Sequence, residues 1–214
     1  MKYDTIIFDL DGTLLNTLDD LRDSLNIALS KYGYEQLSLE KVRQYVGNGV
    51  KKLVERSLPS HSSLEEIDQC LETFKEHYNT NMRNKTRPYN GIMELLLDLN
   101  RYNFKLAIVS NKFDSAVKEL AKEYFGDLIN VAIGESATVK RKPAPDSVFA
   151  TLKELGSDID RSVFVGDSET DVQTAKNAGI TCVGVTWGFR TREVLRNEGA
   201  DYLIDTPKEL LTLI

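Results

Sequence analysis

The chain has 214 residues, of which 41% are hydrophobic and 28% are charged, and its formal net charge is -6 at pH 7. This composition is typical of a globular protein with one main core and a smaller additional unit. The acidic balance argues against binding to nucleic acid or to an anionic membrane surface, and no run is apolar enough for a membrane helix. Cys70 and Cys182 show neither a disulfide framework nor metal-ligand spacing, so a cytoplasmic location is expected.

A short β-branched and aromatic run begins at Thr5 and ends in Asp9, which predicts a buried strand before a turn at Gly12. Because side chains alternate along a strand, Asp9 and Asp11 are expected to point the same way. Two like charges in a partly dry site need a shared proton or a cation, and a hard divalent ion fits best. Taken alone, the pair is equally compatible with acids that cap a turn.

From Thr17 to about Lys85, apolar residues recur at helical spacing, which predicts a small helical bundle. Ser38 is the expected N-cap of its second helix, and Ser63 forms a capping box with Glu66 at the start of its fourth. The residues expected on the core side of that fourth helix are Leu64, Ile67, Leu71, Phe74 and Tyr78.

After a turn-like segment at residues 87–91, helices alternate with short apolar strands. These strands are predicted at residues 104–110, 131–133, 163–165, 181–185 and 202–204. The pattern predicts an α/β fold with a Rossmann-like, doubly wound parallel sheet, whose ligands bind outside the carboxyl ends of the strands. The catalytic core is expected to comprise residues 1–15 and 87–214, and residues 16–86 are expected to form an inserted α-helical cap domain that excludes water.

Polar residues with different chemistry follow the predicted strands. Ser110 and Asn111 end one strand, the segment Gly166–Asp171 follows another, and Lys142 lies upstream of that second strand. Each of these signals alone is more typical of a turn or of a solvated side chain. Acids, one lysine and one hydroxyl at one sheet edge are nevertheless the groups that a magnesium-assisted phosphoryl-transfer site uses.

In this order, the residues resemble the four motifs of the haloacid dehalogenase superfamily of phosphohydrolases. Asp9–Thr13 corresponds to the DxDGT motif, Ser110 to the second motif, Lys142 to the third and Gly166–Asp171 to the GDxxxD motif. The resemblance covers essentially the whole chain, including a helical (C1-type) cap after the first motif. It implies a hydrolase that uses Mg²⁺ and an aspartyl-phosphate intermediate to cleave a small phosphate monoester.

The resemblance also implies roles for individual residues. Asp9 is expected to be the nucleophile and Asp11 the general acid and base, while Lys142 neutralises the nucleophile and the developing charge. Ser110 and the backbone of Asn111 are expected to hold a phosphoryl oxygen. The expected magnesium ligands are the carboxylate of Asp9, the backbone carbonyl of Asp11, the carboxylate of Asp167 and Asp171, the last acting through waters or by orienting Lys142.

Two further segments, residues 45–53 and 185–189, look like those of the phosphoglycolate phosphatase group. The expected reaction is therefore the hydrolysis of 2-phosphoglycolate to glycolate. The residues predicted to contact the substrate are Thr13, Asn111, Gly47, Asn48 and Gly49. Asn16 and Asn90 depart from the residues common in this group, without touching the chemistry.

Several alternatives stay open on the sequence alone. The protein could be a sugar-phosphate phosphatase, a pyrophosphatase or a β-phosphoglucomutase-like mutase, or, in a different class, a noncatalytic binding module. Its expected partner is a small phosphorylated metabolite rather than nucleic acid or a membrane, and both a monomer and a homodimer are compatible with the sequence.

Overall fold

The computed structural model describes residues 2–214, which form two compact units. Residues 2–15 and Pro88–Ile214 form an α/β unit, and Asn16–Arg87 form a helical unit. The strands are β1 (Thr5–Phe8), β2 (Leu15–Asn16), β3 (Arg87–Pro88), β4 (Lys105–Phe113), β5 (Val131–Glu135), β6 (Ser162–Gly166), β7 (Thr181–Val185) and β8 (Tyr202–Ile204). The helices are α1 (Leu18–Lys31), α2 (Leu39–Tyr45), α3 (Gly49–Ser57), α4 (Leu64–Asn81), α5 (Ile92–Arg101), α6 (Asp114–Phe125), α7 (Asp146–Leu155), α8 (Glu169–Ala178) and α9 (Arg192–Glu198).

The α/β unit is built on a six-stranded sheet in the order β5-β4-β1-β6-β7-β8, and the pairs along it are parallel. Successive strands are added on one side of β1 as far as β5, and the chain then returns to the other side of β1 to begin β6. The strand order therefore reverses at the boundary between β1 and β6. In a doubly wound sheet, ligands bind outside the carboxyl ends of the strands at this point. The predicted fold class is confirmed.

The core of this unit lies against the sheet. Ile7 of β1 and Phe164 of β6 are fully buried and pack with Val109, Leu152 and Val172 from neighbouring strands and helices. Both faces of a parallel sheet are covered by helices, so its central strands contain continuous apolar runs rather than alternating polar residues. This burial fixes the ends of β1 and β6, from which the candidate site is built.

The helical unit contains α1 to α4. Phe74 and Tyr78 of α4 stack with ring centroids 5.3 Å apart and are buried. The predicted capping box is present at Ser63 and Glu66. The prediction that Leu64 belongs to the core was wrong: its side chain is 74% exposed, because the first turn of α4 extends beyond the buried part of the helix.

Asp20 connects the two ends of the helical unit. Its buried carboxylate, in the first turn of α1, accepts hydrogen bonds from the backbone amides of Lys85 at 3.0 Å and Thr86 at 2.8 Å. The segment by which the chain leaves this unit is thereby attached to the helix by which it enters. None of the helices described in residues 2–214 has the length and apolar character that a membrane span requires.

Two predicted boundaries were wrong. Arg87 and Pro88 belong to a short strand that pairs with β2, and not to a turn. The second sheet strand, expected to end at Ser110, continues as β4 to Phe113. The register between β4 and β5 shifts after Val109, and such irregularities redirect side chains near sheet edges. The residues that follow Ser110 are therefore part of the sheet edge.

Candidate active site

Three buried acids meet where the strand order reverses. Asp9 follows β1, Asp167 follows β6, and Asp171 lies in the first turn of α8. The backbone amide of Asp9 donates to the carbonyl of Val165 at 2.9 Å, which holds the ends of β1 and β6 side by side. One carboxylate oxygen from each acid lies within 4.8 Å of the others. The sheet topology thus brings three of the predicted site residues together.

Two glycines allow the acids to approach so closely. Gly12 has a φ of +91°, and a Cβ atom there would lie 2.4 Å from Oδ2 of Asp167. A Cβ atom at Gly166 would lie 2.3 Å from the Cβ of Asp171. Glycine is required at position 12 both by the left-handed backbone and by the close contact with Asp167. At position 166 glycine is required only because a side chain would overlap Asp171.

The carboxylate of Asp171 is held on both sides. Its Oδ2 accepts hydrogen bonds from the amide of Ser168 at 3.0 Å, from the hydroxyl of Ser168 at 2.6 Å and from the amide of Asp167 at 3.2 Å. Its Oδ1 accepts a hydrogen bond from Nζ of Lys142 at 2.7 Å. Asp171 is therefore arranged to orient Lys142, which is one of the two roles expected from the sequence.

Lys142 bridges two of the acids. Its buried ammonium lies 2.7 Å from Oδ1 of Asp9 and 2.7 Å from Oδ1 of Asp171. Burial alone would lower the pKa of Lys142, but Asp171 and Asp9 outweigh that effect and raise the pKa above its usual value. The side-chain amide of Asn111 donates to the backbone carbonyl of Lys142 at 2.9 Å, which ties this lysine to the end of β4.

The same burial acts in the opposite direction on the acids. Burial, followed by the proximity of Asp171, raises the pKa of Asp9 to about 7, although Lys142 opposes the shift. The pKa of Asp167 is raised well above its usual value by burial and by its acidic neighbours Asp171 and Asp9. The ammonium of Lys142 thus does not fully balance the negative charge of the cluster, as expected for several carboxylates that share a site.

A second buried lysine contacts Asp11. Nζ of Lys112 lies 3.0 Å and 3.1 Å from the two carboxylate oxygens of Asp11, and the lysine side chain is 2% exposed. No role for Lys112 followed from the sequence. Its signal was its position two residues after Ser110, which places both side chains on one side of an extended segment.

The end of β1 changes one expectation about Asp11. β1 ends at Phe8, so Asp9 and Asp11 lie beyond this strand, and Asp11 forms an isolated β-bridge with Leu15. The expected alternation of strand side chains therefore does not apply to them.

Charge and ligand chemistry in the cluster fit a divalent cation. The four acids Asp9, Asp11, Asp167 and Asp171 face the two lysines Lys112 and Lys142, which leaves two negative charges unbalanced if all six groups are ionised. Carboxylate and carbonyl oxygens are the ligands that Mg²⁺ prefers. The residues present therefore fit the metal expected from the sequence.

Comparisons with known proteins agree with this geometry. Residues 6–185 match the haloacid dehalogenase-like hydrolase family. The chain belongs to that family. It is 35% identical over 198 residues to a phosphoglycolate phosphatase of Mesorhizobium japonicum, covering 91% of this chain and 87% of the relative. It is 32% identical over 215 residues to a phosphoglycolate phosphatase of Aquifex aeolicus, covering 98% and 95% of the two chains.

A solved structure gives the same result for the fold of this haloacid dehalogenase-like hydrolase. The crystal structure of a protein proposed to be a phosphoglycolate phosphatase, from Lactobacillus delbrueckii subsp. bulgaricus, superposes with a TM-score of 0.96. The two sequences are 36% identical, and the match covers 100% of this chain and 99% of the other. The family and these relatives confirm the prediction of an enzyme that hydrolyses phosphoric monoesters.

In this hydrolase, the segment after β7 supports the acidic cluster. The amide of Phe189 donates to Oδ2 of Asp167 at 2.7 Å, and the indole of Trp187 donates to the carbonyl of Thr13 at 3.0 Å. The hydroxyl of Thr13 donates to Oδ1 of Asp167 at 3.2 Å, and Thr13 is completely buried. The hydroxyl and carbonyl of Thr13 thus position Asp167 and the turn after β1, and its contact with substrate stays a prediction.

The remaining predicted contacts are distributed over both units. Ser110 is buried at the end of β4, with its hydroxyl accepting from the amide of Lys112 at 3.3 Å, and Asn111 is half-buried beside it. Gly47, Asn48 and Gly49 lie in the helical unit, where α3 begins at Gly49 and Asn48 has a φ of +62°. Their contact with substrate stays a prediction.

A glycine in the supporting segment is expected to be indispensable. A Cβ atom at Gly188 would lie 2.3 Å from the Cβ of Asp167 and 2.4 Å from the carbonyl oxygen of Gly12. We expect Gly188→Ala to displace Asp167 and to lower kcat/KM at least about 10²-fold, since small misplacements of reacting groups have effects of this size. Steady-state kinetics and thermal melting measure the two effects.

Gly156→Ala is the matched control. An added methyl there meets nothing within 4 Å, but the φ of +58° is unfavourable for alanine. This variant should lose about 1–2 kcal/mol of stability and keep its activity. Equal activity losses in the two variants would show that the effect of Gly188→Ala is general destabilisation.

The raised pKa of Asp9 predicts how metal binding depends on pH. With a folded pKa of about 7 and an ordinary value of 3.8, Asp9 holds a proton in the folded chain over a range where the unfolded chain has lost it. In chelator, this group therefore lowers stability as pH rises from about 4 to about 7. If Asp9 is a metal ligand, a divalent cation must displace that proton, and Mg²⁺ should bind about 10²-fold more weakly at pH 5 than at pH 8.

Thermal melting with and without Mg²⁺, at constant ionic strength, measures this difference. The increase in melting temperature on adding Mg²⁺ should be larger at pH 8 than at pH 5. A shift of the same size at both values would contradict the assignment of Asp9 as a metal ligand.

Proposed function

We propose that this protein is a Mg²⁺-dependent phosphatase that hydrolyses 2-phosphoglycolate to glycolate through an aspartyl-phosphate on Asp9. The proposal rests mainly on the carboxylate of Asp9, held 2.7 Å from Lys142 at the point where the strand order reverses. The names of the relatives in Mesorhizobium japonicum and Aquifex aeolicus support the substrate.

In the first half of the reaction, a carboxylate oxygen of Asp9 attacks the phosphorus atom of the substrate. The bond from phosphorus to the glycolate oxygen breaks, and Asp11 gives that oxygen a proton, so that glycolate leaves as an alcohol. Lys142 contacts Asp9, favours the ionised form of this nucleophile and orients it while negative charge moves onto the phosphoryl group.

In the second half, water attacks the phosphorus atom of the aspartyl-phosphate. Asp11, which has lost its proton to the alcohol, takes a proton from that water. The bond from phosphorus to Asp9 breaks, which releases inorganic phosphate and regenerates the free carboxylate of Asp9. One acid thus serves both half-reactions, which requires its carboxylate to stay close to the phosphoryl group throughout.

The metal would be held by the carboxylates of Asp9 and Asp167 and by the backbone carbonyl of Asp11, while Asp171 holds Lys142. Bound Mg²⁺ supplies positive charge to the phosphoryl oxygens and to the acidic cluster. Ser110 and the backbone amide of Asn111, at the end of β4, are proposed to hold another phosphoryl oxygen. The helical unit is proposed to act as a cap domain that selects the substrate.

The decisive assay measures phosphate release from 2-phosphoglycolate beside sugar phosphates, nucleotides and pyrophosphate, in Mg²⁺ and in chelator. We expect kcat/KM for 2-phosphoglycolate to exceed the other values at least about tenfold, and chelator to abolish turnover. Asp9→Asn serves as the blank.

The outcomes separate the parts of the proposal. Similar, low rates for all compounds would support the proposed reaction chemistry and contradict 2-phosphoglycolate as the substrate. Transfer of phosphate between two positions of a sugar would indicate a mutase. Absence of Mg²⁺-dependent phosphate release from every compound would leave the noncatalytic binding module as the better description.

A further inference from the structure

We infer that Lys112 is a positioning residue, which holds the carboxyl group of Asp11 in place for proton transfer to the oxygen of the leaving glycolate. This inference rests on the proposed function, because it assigns a role in the same reaction. The geometry is that of one ammonium bonded to both oxygens of one carboxylate, at 3.0 Å and 3.1 Å. Such a contact fixes the plane of the carboxylate as well as its distance.

The environment of the pair favours a positioning role over a surface ion pair. The side chain of Lys112 is 2% exposed and that of Asp11 is 18% exposed, so the lysine approaches from the protein interior. Asp11 keeps a partly accessible side. Ion pairs on protein surfaces add little to stability, whereas a buried lysine that loses its acid is costly. Lys112 therefore restrains Asp11 strongly.

The backbone of Lys112 is itself held rigidly. Lys112 lies in the part of β4 where the register with β5 shifts, and its amide donates to the hydroxyl of Ser110 at 3.3 Å. A Cβ atom on Gly134 of β5 would lie 2.6 Å from the carbonyl oxygen of Lys112, and the amide of Gly134 donates to Asp114 at 2.9 Å. β5 therefore packs closely against the backbone of β4 at Lys112.

The arrangement assigns one lysine to each acid of the turn after β1. Lys142 contacts Asp9, the proposed nucleophile, and Lys112 contacts Asp11, the proposed acid and base. Asp11 lies beyond the end of β1, so its side chain depends on contacts for its position. A general acid must stay within hydrogen-bond distance of the leaving oxygen to be effective.

The role predicts a loss that depends on the leaving group. kcat/KM covers the steps up to departure of the alcohol, so it reports on proton transfer by Asp11. The alkoxide of glycolate is a strong base and needs the proton, whereas p-nitrophenolate leaves almost without it. We expect Lys112→Met to lower kcat/KM about 10²-fold for 2-phosphoglycolate and less than about fivefold for p-nitrophenyl phosphate, with KM nearly unchanged.

A double-mutant cycle tests whether Lys112 acts through Asp11. Asp11→Asn alone should show the same dependence on the leaving group, and the Asp11→Asn, Lys112→Met double variant should be no more than about threefold worse than Asp11→Asn. Lys112→Arg, which keeps a cation able to bond both carboxylate oxygens, should recover at least tenfold of the activity lost with methionine. Losses that multiply in the double variant would overturn the inference.

The controls distinguish this role from damage to the fold and from failure of the proposed function. Lys118→Met removes a largely exposed lysine that pairs with Asp114 on α6, and it should leave every rate unchanged. If Lys112→Met does not fold, as judged by circular dichroism, Lys112→Gln takes its place with the same expected selectivity.

Equal losses on 2-phosphoglycolate and p-nitrophenyl phosphate would overturn the role of Lys112 alone. Full activity of Asp9→Asn, or no phosphate release by the unmodified enzyme from either compound, would overturn the proposed function and the inference together.

Discussion

Asp9→Asn should abolish phosphate release while leaving the fold intact. The asparagine amide is about the size of the carboxylate but cannot attack phosphorus, so we expect kcat to fall by about 10⁴-fold or more. Asp9, Asp167 and Asp171 form a cluster in which burial and mutual repulsion raise the pKa of Asp9 to about 7. Removal of one charge from this cluster should not weaken folding.

Two measurements on the same protein test this prediction. Phosphate release from 2-phosphoglycolate gives the activity, and thermal melting in chelator at pH 8 gives the stability, which should equal or exceed that of the unmodified protein. Asp205→Asn, at an exposed acid that pairs with Arg192, is the control for the substitution itself. Retained turnover in Asp9→Asn would show that Asp9 is not the nucleophile. A much lower melting temperature of this variant would show that Asp9 is needed for the stability of the fold.

The fold could be predicted because its determinants are local. The buried strand at Thr5–Phe8, the capping box at Ser63 and the apolar strands at residues 163–165 and 181–185 follow from periodicity and turn chemistry. A parallel sheet then follows from the alternation of strands and helices, and it places the acids after β1 and β6 at one edge.

The parts that could not be predicted depend on tertiary contacts. Lys112 is two residues from Ser110, but only the three-dimensional course of β4 past its irregular pairing with β5 brings its ammonium to Asp11. Thr13 illustrates the same limit, since a hydroxyl beside two acids has the right chemistry for a ligand. Its burial against Asp167 depends on packing more than 150 residues away along the chain.

Gly188 shows that the reason for a glycine in a sequence motif becomes clear only from the structure. Gly188 lies in residues 185–189, a segment whose sequence resembles that of the phosphoglycolate phosphatase group. The sequence does not explain why glycine is needed at this position. A side chain there would occupy the space of Asp167 and of the carbonyl of Gly12. Sequence patterns can therefore locate such a segment, whereas its physical role requires the distances.

Lys142→Met should have the largest combined effect on stability and activity. The substitution removes the ammonium that lies 2.7 Å from both Asp9 and Asp171, and it leaves acids buried without that charge. Breaking a buried ion pair in this way typically costs about 3–5 kcal/mol. We expect a loss of this size at pH 8 in chelator, measured by urea denaturation, and phosphate release reduced at least about 10³-fold.

The pH dependence of this loss identifies its cause. The pKa of Asp9 is already raised to about 7 and that of Asp167 is also raised, so the acids of the cluster accept protons readily as pH falls. Protonation removes the charges that Lys142 compensates, and the stability difference between Lys142→Met and the unmodified protein should therefore shrink at pH 5. A difference of equal size at pH 5 and pH 8 would point to lost packing around the lysine stem. Lys153→Met, at an exposed lysine on α7, controls for loss of charge in general.

A second substitution separates the structural role of Lys142 from its chemical role. Lys142→Met combined with Asp171→Asn removes one buried carboxylate together with the lysine and should recover much of the lost stability. It should not recover activity, because no ammonium then stands beside Asp9 during attack on phosphorus. Recovery of both properties would mean that Lys142 serves only to neutralise Asp171. Recovery of stability alone means that the charge of the cluster governs folding, while turnover requires that charge at one place, 2.7 Å from the nucleophile.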